Sequence, residues 1–118
     1  MDFKLKLEER LIDFAVLTIE VANRLPYNRL GYHLGGQLLR SGTSPALNYG
    51  EARGAESRKD FIHKLGVILK ELRETNNCLK ILSKTRHIPN DHPALIECNE
   101  LISIFVKSVN TAKEKTNT

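Results

Sequence analysis

Prolines and glycines cut this chain into four long segments, and that punctuation limits the fold more than any other feature. The breaks fall at Leu25-Pro26, at Arg53-Gly54 and across the run from Ile88 to Pro93. The spacing leaves no room for a sheet. Within each segment the apolar residues recur at alternating steps of three and four, the mark of a helix with one face turned to a core. The first segment gives Leu7, Leu11, Phe14, Thr18, Val21 and Leu25. The third gives Phe61, Leu65, Ile68, Leu72, Thr75, Leu79 and Leu82, and the fourth gives Leu95, Cys98, Ile102, Phe105, Val109 and Ala112. Long helices joined by short connections run antiparallel to their neighbours. The expected fold is all-α: an up-down-up-down antiparallel four-helix bundle, one domain over residues 1–113 with a frayed polar tail at 114–118.

The second segment keeps the step but changes the chemistry, as Leu34, Leu38, Ser41, Pro45, Asn48 and Ala52. Pro45 removes a backbone donor, so a helix from about Asn28 to Ala52 is expected to kink or break around Gly42 to Ser44, with Ser44 capping the restarted half. Asn48 falls on the inward stripe, where an unpaired amide is costly. Asn48 and Glu51 are expected to be buried polar residues, with Asn48 hydrogen-bonded to Glu51 and polar groups of the third helix. Ser57 ahead of Asp60 reads as the start of the third helix, and Asp91 ahead of Pro93 as the start of the fourth.

The 118 residues are enough for a single core, and their 41% hydrophobic and 27% charged content excludes a chain disordered by composition. No apolar run approaches the ~20 residues that cross a bilayer. With acids near the start, no cleavage-type signal and two cysteines twenty apart, the chain is expected to be soluble, off the membrane and in a reducing cytoplasm.

Two surfaces stand out. Ile12, Val16 and Ile19 form a second apolar row on the first helix, directed away from its core stripe, and such a patch is expected at an oligomer interface. The net charge of +4 is also unevenly placed: residues 53–87 hold nine basic and four acidic groups, while the flanking stretches are near balance. The outward face of the third helix reads Lys59, His63, Gly66, Lys70, Arg73, Asn77, Lys80 and Lys84, about 38 Å of stripe without a carboxylate. Asp60, Glu71 and Glu74 lie on its flanks, placed to pair with some of these cations. Neutralising phosphates along such a stripe releases counterions, which drives sequence-independent binding to RNA or DNA. With no Trp, and with Tyr27, Tyr32 and Tyr49 on or near the second helix, the basic face carries no stacking platform, and backbone contact is what it offers.

Catalytic patterns are weak. A carboxylate di-metal bundle needs two Glu-x-x-His pairs, and the chain has only Asp60 with His63. Neither Cys78 nor Cys98 has a partner at zinc spacing, and no glycine-rich phosphate loop follows a strand. No catalytic residue, metal or cofactor is expected. Helical ribonucleases of the HEPN class place an arginine and a histidine four to six residues apart. Arg58 with His63 and Arg86 with His92 both match, in a chain where such pairs arise readily by chance.

The stretches QLLRSGTS (37–44), NYGEA (48–52), AESRKDFIHK (55–64) and KELRET (70–75) resemble the bacterial four-helix bundle proteins encoded in intervening sequences of 23S ribosomal RNA genes. That family is related to the accessory variability determinant of diversity-generating retroelements. The resemblance runs from the first helix to Val109. It implies a homo-oligomer, typically a homopentamer with a basic surface, and, for the retroelement relatives, binding of nucleic acid and of a reverse transcriptase. Most members have no established activity, and a non-enzymatic accessory to a nucleic-acid-processing partner is the leading expectation. Pro45 stands where the family usually has an aliphatic residue, and Asn77-Cys78 where an aromatic pair is common. A protein–protein scaffold is the competing expectation.

Overall fold

Asp2 accepts a hydrogen bond from the Leu5 amide at 3.0 Å and so caps the first helix, α1 (Phe3–Asn23), which buries Leu7, Leu11, Phe14, Thr18 and Val21. Asn28 caps α2 (Arg29–Arg53) through the Gly31 amide, and Ser57 caps α3 (Arg58–Lys84) through the Asp60 amide. The fourth helix is α4 (Pro93–Asn117). This computed structural model describes residues 2–117, with side chains as far as Lys115. Each helix packs on its sequence neighbour and α4 closes back on α1, giving an antiparallel bundle of 50 × 26 × 21 Å. Leu11, Phe14, Leu38, Ile68, Leu72, Leu79, Leu101 and Phe105 are fully buried along its axis.

The stripes expected on α1, α3 and α4 face inward, apart from Phe61 and Ile102, which are half-buried at its edge. On α2 the buried row is instead Gly31, Gly35, Leu38, Gly42, Pro45, Tyr49 and Ala52, with Ser41 beside it. Gly42 sits where α2 crosses α1: a β-carbon there would lie within 2.7 Å of the Thr18 side chain. Gly31 is hemmed in by the Pro26 carbonyl, which lets the α1–α2 connection close tightly.

Three local expectations are corrected. First, α2 does not break around Gly42 to Ser44 but runs as one helix through Pro45. Proline removes only the bond to Ser41, and its ring is buried against the core, so one missing bond does not end a packed helix. Second, Ser44 caps nothing. Its carbonyl and hydroxyl instead accept from Asn48 Nδ2 at 3.0 and 2.8 Å. Asn48 is therefore only half-buried and satisfied within its own helix, while Glu51 is exposed and pairs with Lys64. The buried cross-helix polar contact lies further along, where Thr75 Oγ1 sits 2.9 Å from Ser41 Oγ and 2.8 Å from the Glu71 carbonyl. Third, α4 starts at Pro93, and the Ala94 amide donates to Nδ1 of His92, not to Asp91. The polar tail continues α4 as far as Asn117, while Thr118 lies outside the described residues. At the other end of that connection, Arg86 takes φ 64°. The His87 amide bonds the Leu82 carbonyl and the Arg86 amide the Ser83 carbonyl. This left-handed turn uses an arginine where glycine is usual.

Candidate nucleic-acid interface

Helical phase puts Lys59, His63, Lys70, Arg73, Lys80 and Lys84 on the outer side of α3, and all six are exposed. The flanking acids do not neutralise them. Glu71 and Glu74 point toward α2, where Arg40 grips both, at 2.9 Å for Glu71. These carboxylates bond the Arg40 guanidinium and raise its pKa above the ordinary arginine value. Glu51 is likewise taken by Lys64 at 2.8 Å, which raises the lysine pKa. Among the described residues, none of the ion pairs involves Lys59, Lys70, Arg73, Lys80 or Lys84. A pairing that sequence spacing suggested for one helix is thus made between two.

On α1, Ile12, Val16 and Ile19 are 43%, 48% and 36% exposed. The row is continuous on one face and uncovered in the single chain. The two arginine–histidine pairs are not built alike. Arg58 and His63 are exposed on α3, whereas the His92 ring is committed to the Ala94 amide while Arg86 forms the turn after α3.

Both cysteines face the core. Cys98 Sγ donates to the Leu72 carbonyl and Cys78 Sγ to that of Leu34. Burial, above all, pushes the Cys98 thiol from its ordinary 9.0 up to about 12, and it raises Cys78 as well. A shift of that size lowers the thiolate fraction at pH 8 roughly a thousandfold. Cys98 is therefore expected to stay unmodified by a small maleimide at pH 8 over a time in which the urea-unfolded chain reacts completely. Equal rates in the two states would contradict its burial. Because the folded state holds the thiol proton more tightly, this stability is intact below pH 9 and is lost as pH climbs from about 9 toward 12. Among the described residues no group of three histidine, cysteine or acidic side chains is placed to hold a metal ion, and no helix is long and apolar enough to cross a membrane.

One further cluster is hidden in the sequence. Phe3 and Lys4 of α1, Arg58 and Phe61 of α3 and Lys107 of α4 meet around a groove at the end of the bundle where α1 begins. With Tyr49 of α2 also in its wall, its residues come from all four helices, so no single periodicity announces it.

The profile of the 23S rRNA-intervening sequence protein family matches residues 4–107, which takes in all of this framework except Phe3 and the end of α4. The chain belongs to that family. A solved structure from Bacteroides thetaiotaomicron, described as a protein of unknown function from the S23 ribosomal protein family, superposes with a TM-score of 0.82 at 29% identity. The match covers 91% of this chain and 97% of that one. No curated protein matches the chain. Family membership and the bundle agree with the resemblance carried by the motifs on α2 and α3. In this member the Pro45 departure is absorbed inside an unbroken α2, and Cys78 occupies a buried position that suits a small thiol.

Proposed function

We propose that this family member is a non-enzymatic, cytoplasmic, homo-oligomeric bundle that binds nucleic-acid backbone without reading sequence, as an accessory to a nucleic-acid-processing partner. The observation that carries the reading is the α3 stripe, whose cations remain unpaired because Arg40 and Lys64 hold the nearby carboxylates. Phosphates laid along it replace their counterions with fixed lysines and an arginine, and the released ions supply the driving force. The uncovered row on α1 supports self-association, and a closed ring presents several stripes at once, multiplying a weak contact. The motif resemblance makes five subunits the expected number and a reverse transcriptase one candidate partner.

The test is a fluorescence-anisotropy titration against mixed-sequence duplex at several salt concentrations. Five neutralised phosphates give a log–log slope near about −4.5. Lys70→Gln with Arg73→Gln is expected to weaken binding to unrelated sequences equally and to flatten the slope by roughly two units. Equal slopes, or no binding by the unmodified protein at low salt, would return the stripe to a solvated helix face. Degradation of the probe would favour the ribonuclease reading. Sedimentation addresses assembly separately: Val16→Lys places a charge in the apolar row and is expected to shift the protein toward monomer at micromolar concentration. A protein that is already monomeric would remove the oligomer from the proposal.

A further inference from the structure

The groove at the start of α1 has a volume of about 630 Å³, within the range of sites that enclose small organic groups. Leu7, Phe61, Leu65 and Ile104 form its apolar surface, with Tyr49 behind them. Burial raises the Tyr49 phenol above its ordinary pKa, so that wall stays neutral. The charged lining is all positive: Lys4, Arg58, Lys107 and Lys115 border the groove beside the neutral Ser108 and Thr111, and no carboxylate among the described residues lines it. Of the acids around it, Asp2 accepts from the Leu5 amide and Glu8 pairs with Arg53, while Glu56 lines a shallower adjoining pocket that shares Lys4, Arg58 and Phe61 with the groove. Among the described residues, none of the ion pairs involves Lys4, Arg58 or Lys107.

The aromatic groups differ in what they leave open. Tyr49 is buried with its ring against Phe105, and Phe61 carries the Lys4 ammonium 5.5 Å from its centroid. Phe3, at the mouth, is 66% exposed and belongs to neither ring contact. An open aromatic face beside these three cations is the combination that holds an unpaired base, since stacking accepts any base and the cations accept its phosphate.

We propose that the groove holds an unpaired nucleotide of single-stranded RNA or DNA, its base stacked on Phe3 and its phosphate among Lys4, Arg58 and Lys107. The inference rests on the backbone-binding reading above and extends it to a substrate class. Arg58 at the groove is followed by Lys59, the first cation of the α3 stripe, so a strand leaving the groove continues along that face. A duplex keeps its bases stacked internally and offers nothing to Phe3, which makes the groove selective for single strands or frayed ends.

The chain contains no tryptophan, so Phe3→Trp introduces a single indole fluorophore at the groove mouth. A short unstructured oligonucleotide is expected to quench it, and the matching blunt duplex to leave it unchanged. Phe3→Ala, at an exposed position, is expected to weaken single-strand binding by roughly 5- to 100-fold while duplex affinity and its salt dependence stay as they were. An oligonucleotide that binds Phe3→Trp with normal salt dependence yet leaves the indole unquenched would overturn the groove proposal and spare the stripe. Loss of both single-strand and duplex binding in Phe3→Ala would also overturn it. Absence of all nucleic-acid binding at low salt removes the stripe reading and the groove with it. Quenching by an acidic amphipathic peptide, but not by the oligonucleotide, would assign the groove to a protein partner and overturn the proposal.

Discussion

Truncating Phe105 to alanine is expected to destabilise the protein by about 3 to 5 kcal/mol, a large part of the roughly 5 to 15 that holds a domain together. Phe105 is fully buried on α4 and meets Tyr49 of α2 edge to face, with centroids 5.8 Å apart and planes at 85°. The backbones of these diagonally opposed helices make no close approach among the described residues, so this aromatic pair fills the space between them. Alanine leaves a void that the flanking helices cannot close without losing their own contacts, and it also removes a ring pair worth about 1 kcal/mol beyond burial. Phe105→Leu keeps most of the volume and is expected to cost less than about 1.5 kcal/mol. Urea unfolding checks both, and a midpoint in Phe105→Ala close to that of the unmodified protein would refute the account.

The second large effect comes from adding atoms. Gly42→Ala is expected to lower stability by about 2 to 3 kcal/mol, although alanine on its own favours a helix by ~1 kcal/mol over glycine. The added methyl runs into Thr18 Oγ1 and meets the threonine Cβ at 2.6 Å and Cγ2 at 2.7 Å. Rotating the threonine side chain cannot clear its own β-carbon, so α1 and α2 must move apart along a seam where Thr18 also bonds the Ala15 carbonyl at 2.8 Å. The diagnostic comparison is a double-mutant cycle with Thr18→Gly, which empties the blocking volume. Strong positive coupling is expected, whereas strictly additive losses would show that the clash is not the cause.

Gly42 also explains why the hydrophobic pattern misleads on α2 and not elsewhere. On α1, α3 and α4 the buried positions are mostly Leu, Ile and Phe, which advertise their phase. On α2 the close contact with α1 is made by Gly35 and Gly42, and that with the α1–α2 connection by Gly31, and glycine carries no hydrophobic signal. A phase drawn through Leu34 and Asn48 is rotated partway from the true face. That rotation turns Asn48 and Glu51 inward on paper and hides the burial of Tyr49. The α3 stripe is legible because one helix and one period define it. Its lack of neutralising partners is not, because that depends on Arg40 lying across from Glu71 and Glu74. The groove is hidden for the same reason, being assembled from the start of α1, Tyr49 of α2, the start of α3 and the later part of α4.

Arg10 forks both side-chain oxygens of Glu97 at 2.7 Å and reaches Glu100 as well, tying α1 to α4 across 87 residues of chain. This is the thinnest of the four seams between helices, and it is also the one whose partners are furthest apart in sequence. Contacts that need the whole chain close after those between neighbours. During synthesis, α2 and α3 can zip together while α4 is still inside the ribosome, and only the arrival of Glu97 completes the ring of contacts. The same order read backwards governs opening of the finished protein. Amides of α1 and α4 along this seam are expected to exchange with deuterium through partial openings, while those of α2 and α3 wait for global unfolding.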